Sequence, residues 1–249
     1  MVLSQQILRM KKTFLLLCFS ACVVTATHAQ TPSEILKGIT GSKKNNKNSS
    51  LSTDEVVNGL KEALNKGVTN GTSKLSAVDG FFKDAVIKIL MPPDAEKVER
   101  TLRSIGLGKQ VDDAILSMNR AAEDAAKNAA PIFLNAIKQM SIGDAWSILN
   151  GSDTAATKYL REKTTASLTQ AFKPVIDQSL EKTGATKYWN TVFTSYNKVA
   201  FKKINPDLSA YVTDKAMSGI FYEVGQEEMQ IRKDPLARTS DLLKKVFGK

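Results

Sequence analysis

Past residue 29 this chain holds neither histidine nor cysteine: His28 is its one histidine, and Cys18 and Cys22 are its two cysteines. If the residues up to Ala29 are removed, as their pattern suggests below, the remaining chain cannot build a histidine-based triad. A zinc site of the usual ligands, a blue-copper centre and histidine or thiolate haem ligation are equally out of reach. A di-iron bundle site needs Glu-x-x-His pairs and fails for the same reason. No phosphate-binding glycine loop, dinucleotide fingerprint or calcium loop occurs. The expectation is therefore no metal, no cofactor and no assignable catalytic residue.

Carboxylate acid/base chemistry of the glycosidase kind remains, and it needs one acid held in a desolvated cleft. Glu123 with Asp124 and Glu227 with Glu228 qualify by chemistry, although adjacent acids on a lysine-rich helical chain are more often a solvated face, which is the favoured reading. Asn119 and Arg120 interrupt an alanine-rich apolar helix, and Arg120 can pair with Glu123 one turn on. That pair is either part of a polar pocket between helices or, as the favoured expectation, an exposed intrahelical ion pair. Tyr188, Trp189, Phe193 and Tyr196 read as a core or docking stripe before they read as a stacking groove. Trp146 and Tyr159, near Asp144 and Arg161, are judged the same way. The final stretch from Asp241 to Phe247 has one short apolar face, which favours packing on the body over lying on a membrane.

The elements that must position these residues are helices. Ser52-Thr53-Asp54-Glu55 is a capping box opening a helix with a stripe of Val56, Leu60, Ala63, Leu64 and Gly67. Residues 78–93 break the pattern with Asp79-Gly80, Phe81-Phe82, a run from Val86 to Leu90 and Pro92-Pro93, and predict an extended connection packed on the helices, with a short strand or hairpin as an alternative. A helix follows from Asp94 to a glycine stop at Gly106, then one from about Lys109 to Lys127 and one opened by Pro131. Ser141 with Asp144 caps a short helix to Leu149. A longer one starts near Ser152, with Pro174 forcing a kink or restart and Gly184 a break. Further helices carry the Tyr188–Tyr196 stripe, the Tyr211–Val224 stripe after an Asn205-Pro206-Asp207 turn, and a last amphipathic segment capped by Thr239 or Ser240. The expectation is an all-α, single-domain multi-helix bundle of about 8–10 helices with one extended connection near 78–93.

At the N-terminus, Arg9, Lys11 and Lys12 precede an apolar run from Phe14 to Val24, and Thr27-His28-Ala29 suits signal-peptidase cleavage after Ala29. The run is shorter than the roughly 20 residues of a membrane span. Residues 1–29 are read as a signal peptide, with Met10 a possible true start. Phe19-Ser20-Ala21-Cys22 partly resembles a lipobox, so a lipoprotein anchored at Cys22 is the less favoured alternative. Residues 30–50 are polar enough to predict a disordered linker, and 51–249 a single helical domain. Location is accordingly expected to be periplasmic or secreted. The formal charge of +10 falls by three when Arg9, Lys11 and Lys12 leave, and bases alternate with acids from Leu51 onward, so no nucleic-acid partner is expected.

Several strings carry a family resemblance: Met118-Asn119-Arg120-Ala121-Ala122-Glu123; Pro131-Ile132-Phe133 with Ala136-Ile137; Asp144-Ala145; Ile148-Leu149; Gly151; and Ala155-Ala156-Thr157. The most specific is the tail, Ile231-Arg232-Lys233-Asp234-Pro235 with Ala237-Arg238-Thr239-Ser240-Asp241-Leu242-Leu243-Lys244-Lys245-Val246-Phe247. From about Leu51 to Lys249 the chain resembles the domain of unknown function 4197 family. The resemblance implies a bacterial, exported, largely helical protein and brings no catalytic residues with it. It singles out Asn119, Arg120, Asp234, Arg238 and Asp241 as a shared structural or binding cluster, to which the spacing adds Glu123. A charged network fixing the last helix to the body is the favoured meaning. The functional expectation is a non-enzymatic protein that binds an envelope partner or small ligand. Its rivals are a carboxylate-dependent hydrolase acting on envelope glycan and a peripheral membrane or lipid-binding protein.

Overall fold

In the computed structural model the described residues are 52–199, 203 and 207–248. The signal segment and linker expected over 1–50 lie outside them, as do Asn205 and Pro206 of the expected turn. Ser52 opens α1, Thr53–Ser76, with the capping box in place: the Ser52 hydroxyl accepts from the Glu55 amide at 3.2 Å and the Glu55 carboxylate from the Ser52 amide at 3.0 Å. Four orphan amides begin every helix, and this reciprocal pair satisfies two of them here. The buried face carries Val56, Leu60, Ala63, Leu64, Gly67, Val68, Gly71 and Leu75.

The remaining elements are a 3-10 turn at Pro93–Ala95, α2 (Glu96–Ser104), α3 (Gly108–Ala126), α4 (Ala129–Lys138), α5 (Ile142–Leu149), α6 (Ala155–Lys182), α7 (Ala185–Val199), α8 (Leu208–Lys233), a second 3-10 turn at Pro235–Ala237, and α9 (Asp241–Phe247). No strand occurs among the described residues, and the all-α expectation holds. Left-handed glycines stop α2 at Gly106, φ 85°, and α6 at Gly184, φ 70°.

One expectation needs refinement at Pro174. It leaves the carbonyl of Gln170 without its helical donor, yet α6 runs from Ala155 to Lys182 without ending there. Phe172, Ile176 and Leu180 on either side of it are fully buried on one face. Burial of each such side chain contributes roughly 1.5–3 kcal/mol, enough to carry the helix past a missing hydrogen bond.

The core forms where α8 packs against α1, α3 and α6, with α4 and α5 laid across α1 and α6 and with α9 against α1. Phe133 of α4 meets Phe221 of α8 edge-on, 5.8 Å between ring centres. Gly67 and Gly71, one turn apart on α1, let α8 approach closely: a β-carbon at Gly67 would stand 3.3 Å from Glu227 Cβ, and one at Gly71 3.4 Å from Glu223 Cγ. The connection over 77–92 turns more than it extends. It winds through turns to Ile87 and only then straightens, burying Phe81, Ile87, Ile89 and Met91.

Candidate functional site

Asn119, Arg120 and Glu123 lie together on α3 against the 77–92 connection; Asn119 and Glu123 are buried and Arg120 partly so, where an exposed ion pair was the favoured reading. Asn119 is 0% exposed and Glu123 4%. The Asn119 side chain treats Ile89 as a strand treats its neighbour: Oδ1 accepts from the Ile89 amide at 2.8 Å, and Nδ2 donates to the Ile89 carbonyl at 2.8 Å. Its second amide proton goes to the Ile115 carbonyl at 2.7 Å. Glu123 Oε1 accepts from the amides of Phe81 and Phe82 at 3.1 and 3.2 Å, while Oε2 takes a 2.6 Å bond from Arg120. Arg120 continues to Asp79 at 2.7 Å, and Lys83 reaches the same carboxylate at 2.7 Å. Those two cations hold the Asp79 carboxyl below its usual range, Lys83 foremost. Asp79 sits at φ 70°, a conformation seldom seen outside glycine, within this clamp. The cluster fastens the 77–92 connection to α3.

Among the four candidate acids, Glu228 also departs from the solvated reading. It is 7% exposed and caps α6 from outside that helix. Its oxygens accept from the amides of Ala156 (3.0 Å) and Thr157 (2.8 Å) and from the Thr157 hydroxyl (2.8 Å). Thr154, the formal N-cap, supplies no side-chain bond, so Glu228 takes over that function next to the positive end of the helix dipole. Arg232 bonds Glu228 at 2.9 Å and donates to the carbonyls of Ile148 (2.8 Å) and Leu149 (3.4 Å), closing α5. Asp124 and Glu227 are only half-buried.

In the tail, Arg238 donates to the carbonyls of Ile231 (3.0 Å) and Arg232 (2.7 Å) at the end of α8, and Asp234 caps the following 3-10 turn through the Leu236 amide at 2.8 Å. Lys66 of α1 ties in at Thr239, 2.7 Å away. Asp241 stands apart, its side chain 94% exposed with one 3.4 Å contact to Lys244. The six singled-out residues therefore divide into a clamp on α3, a hinge at the end of α8 and one solvated acid. The apolar side of α9, Leu243 and Val246, makes the docking contact.

Trp189 and Phe193 are core residues, their ring centres 4.3 Å apart, and the Trp189 indole nitrogen is buried without a partner. The side chains of Tyr188 and Tyr196 lie outside the description. Trp146 is 39% exposed on α5, contrary to a core role. Sequence reasoning passed over Glu223 of α8, 3% exposed, which bonds Lys74 at 2.8 Å through one oxygen and has no partner on the other.

A polar cleft of about 260 Å³ opens between α4, α5 and α6. Ile132 and Ala136 supply its apolar part; Asn135, Gln139, Asp144, Tyr159, Lys163 and Ser167 supply polar atoms. Asp144 Oδ2 is the reciprocal partner in the α5 capping box, accepting from the Ser141 amide at 3.0 Å and hydroxyl at 2.8 Å; the Tyr159 hydroxyl lies 3.5 Å away. The Ser141 amide, then its hydroxyl, lowers the Asp144 pKa. Burial, then Asp144, raises that of Tyr159, which stays a neutral phenol. Lys163 was missed in the sequence, although Tyr159, Lys163 and Ser167 recur at four-residue spacing beside the buried Leu160–Thr164–Leu168 stripe and so mark a polar face. No group of three or more acidic, histidine or cysteine residues suited to a metal occurs among the described residues, and no described helix is long and apolar enough to cross a membrane.

A family model described as protein of unknown function (DUF4197) matches residues 50–248. No curated protein and no solved structure matches the chain.

Proposed function

The chain belongs to the DUF4197 family of proteins of unknown function, and on that footing we propose that it is a non-enzymatic binding protein that takes a small polar ligand in the cleft between α4, α5 and α6, acting outside the cytoplasm after removal of residues 1–29. One observation carries this reading. The cleft brings the Asp144 carboxylate, the Lys163 ammonium and the amides of Asn135 and Gln139 to one open space, whereas Glu123 and Glu228 have their oxygens taken up by amides and arginines. Small-ligand sites combine apolar lining with a few convergent polar groups, and a space of about 260 Å³ suits a ligand smaller than a drug-sized molecule.

The other readings draw less support. A glycosidase needs an acid free to face substrate, but Glu123 and Glu228 spend their oxygens on backbone amides and on an arginine. A lipid-binding protein needs room for an acyl chain. The apolar cavity bordered by Leu60, Leu64, Val224 and Phe247 measures about 20 Å³, little more than one water requires.

Intact mass of protein purified undenatured from its own cells, compared with the same sample denatured, tests the proposal. The expected result is a ligand lost on denaturation, absent from the Ser167→Trp variant, on a chain beginning at Gln30. A native mass equal to that of the bare chain in both proteins overturns the ligand reading; an N-terminus at Met1 or Met10 overturns the export step, and one at an acylated Cys22 replaces cleavage after Ala29 with lipoprotein processing.

A further inference from the structure

Several lysines in this protein pair closely with a carboxylate. Lys83 pairs with Asp79, Lys109 with Asp113, Lys127 with Asp124, and Lys233 with Asp153, each within 2.8 Å. The lysine in the cleft is not one of these. Among the described residues Lys163 makes neither an ion pair nor a hydrogen bond; its ammonium stands 5.7 Å over the Tyr159 ring. No hydrogen bond among those residues reaches Asp144 Oδ1, since Ser141 and Tyr159 all address Oδ2. The two charges share one small cleft, near enough for Lys163 to help lower the Asp144 pKa, but among the described residues they form no ion pair or hydrogen bond with each other.

Resting on the reading of this cleft as a binding site, we infer that its ligand is a small zwitterion of the short-peptide class, with the ammonium on Asp144 and the carboxylate on Lys163. A neutral sugar filling the cleft would strip water from both charges and return no counter-charge, and desolvating an unpaired charge is costly. A simple anion would leave Asp144 uncompensated, and a simple cation would leave Lys163 so. A zwitterion answers both with charge-assisted bonds. The rest of the lining fits a peptide group. Gln139 donates to Asn135 Oδ1 at 3.2 Å, which leaves Asn135 Nδ2 as a donor on α4 and Gln139 Oε1 as an acceptor just past its end. Ile132 and Ala136 offer an apolar seat for a small side chain.

Calorimetric titration of the purified chain with L-alanyl-L-alanine, its N-acetyl derivative, its C-terminal amide and glucose tests the assignment. Dialanine is expected to bind, and each blocked derivative to bind about tenfold or more weaker, because each loses one charge-assisted contact. Lys163→Met should weaken dialanine by a similar factor and leave the affinity for the C-terminal amide unchanged. Asp144→Asn should spare only the N-acetyl derivative. Asp144 also caps α5, so Lys163→Met, at an exposed position, carries the test if the asparagine variant fails to fold. Blocked peptides that bind as tightly as dialanine, or a Lys163→Met chain that binds it undiminished, overturn the inference. So does dialanine that does not bind at millimolar concentration. If in that last case glucose binds, or a natural ligand is still lost with Ser167→Trp, the cleft survives as a polar-ligand site and only the zwitterion falls.

Discussion

Two polar regions lie within three turns of each other on α6, and they use the same residue types to opposite ends. At the start of the helix, Glu228 and Arg232 from α8 meet the amides of Ala156 and Thr157 and the carbonyls of Ile148 and Leu149. There every charge is matched. Farther along, Asp144 and Lys163 line a cleft without forming an ion pair with each other among the described residues. A closed set of donors and acceptors fixes how three helices join, whereas an open one leaves interaction energy for something that arrives later. Burial of a carboxylate is therefore no guide to activity in this protein. What distinguishes the regions is whether hydrogen-bonding capacity is left over.

The sharpest way to break the comparison is to open the closed region. Glu228→Ala would leave two helix-start amides and Arg232 without their Glu228 partner in a largely buried site. Removing one member of a buried pair costs about 3–5 kcal/mol. Arg232→Met should cost nearly as much, because Glu228 keeps its amides but the α5 carbonyls lose their donor. Urea unfolding monitored by circular dichroism measures both. A loss below about 1 kcal/mol for either variant would show that the joint is wetter and looser than its hydrogen bonds imply.

Next in size is Asn119→Ala. It strands the amide and carbonyl of Ile89, each worth about 1–3 kcal/mol when buried unsatisfied. Because the damage falls on the 77–92 connection, hydrogen exchange should quicken there before it does in α6 or α8. Uniformly faster exchange across all helices would instead make Asn119 part of the global core.

How far these features were legible in the sequence depends on the range of the interaction. The capping boxes at Ser52–Glu55 and Ser141–Asp144 and the glycine stops at Gly106 and Gly184 are local, spanning a few residues, and the structure has them where their spacing placed them. The burial of Glu123 and Glu228 is not local. An arginine and a glutamate three or four apart look the same on an exposed face as in a clamp, and the deciding partners are amides 42 and 72 residues away. Of the kink or restart expected at Pro174 the restart is absent, since the packing that carries α6 past it comes from other helices. The cleft was half visible: Asp144 and Tyr159 stood out as polar residues near Trp146, but Lys163 gained meaning only once α4 and α5 were set against α6. The resemblance carried in the tail string identified the family, while its Asp241 points to solvent and takes no part in the hinge.

A smaller effect separates the structural from the open half of Asp144. The hydrogen bonds from Ser141 lower its folded pKa. As pH falls, the unfolded chain takes up the proton first, so the contribution of this carboxylate is complete above its unfolded value, near pH 4, and disappears as the pH passes down through the folded value. Asp144→Asn should therefore lose about 0.5–1 kcal/mol at pH 7, a typical cost for weakening an N-terminal cap, and the difference from the parent protein should close below about pH 4. Denaturant midpoints at neutral and acidic pH measure it. A difference that persists undiminished in acid would mean that the shape of the capping box, and not its charge, holds α5.

The smallest expected change is also the most discriminating, because it repeats on Lys163 the substitution that should cripple Arg232. Both are cations at helix α6, Lys163 on it and Arg232 packed against its start from α8, and both would become methionine. Lys163 gives up no hydrogen bond or ion pair within the described chain, only a distant approach to the Tyr159 ring. Exposed substitutions of that kind shift stability by no more than about 0.5 kcal/mol. Removing an unpaired cation that no ligand uses should be nearly silent in every assay, whereas removing one kept open for a ligand should be silent in unfolding and visible only in binding. If Lys163→Met destabilises the protein as Arg232→Met does, the cleft is a closed joint after all, and the contrast between the two regions fails.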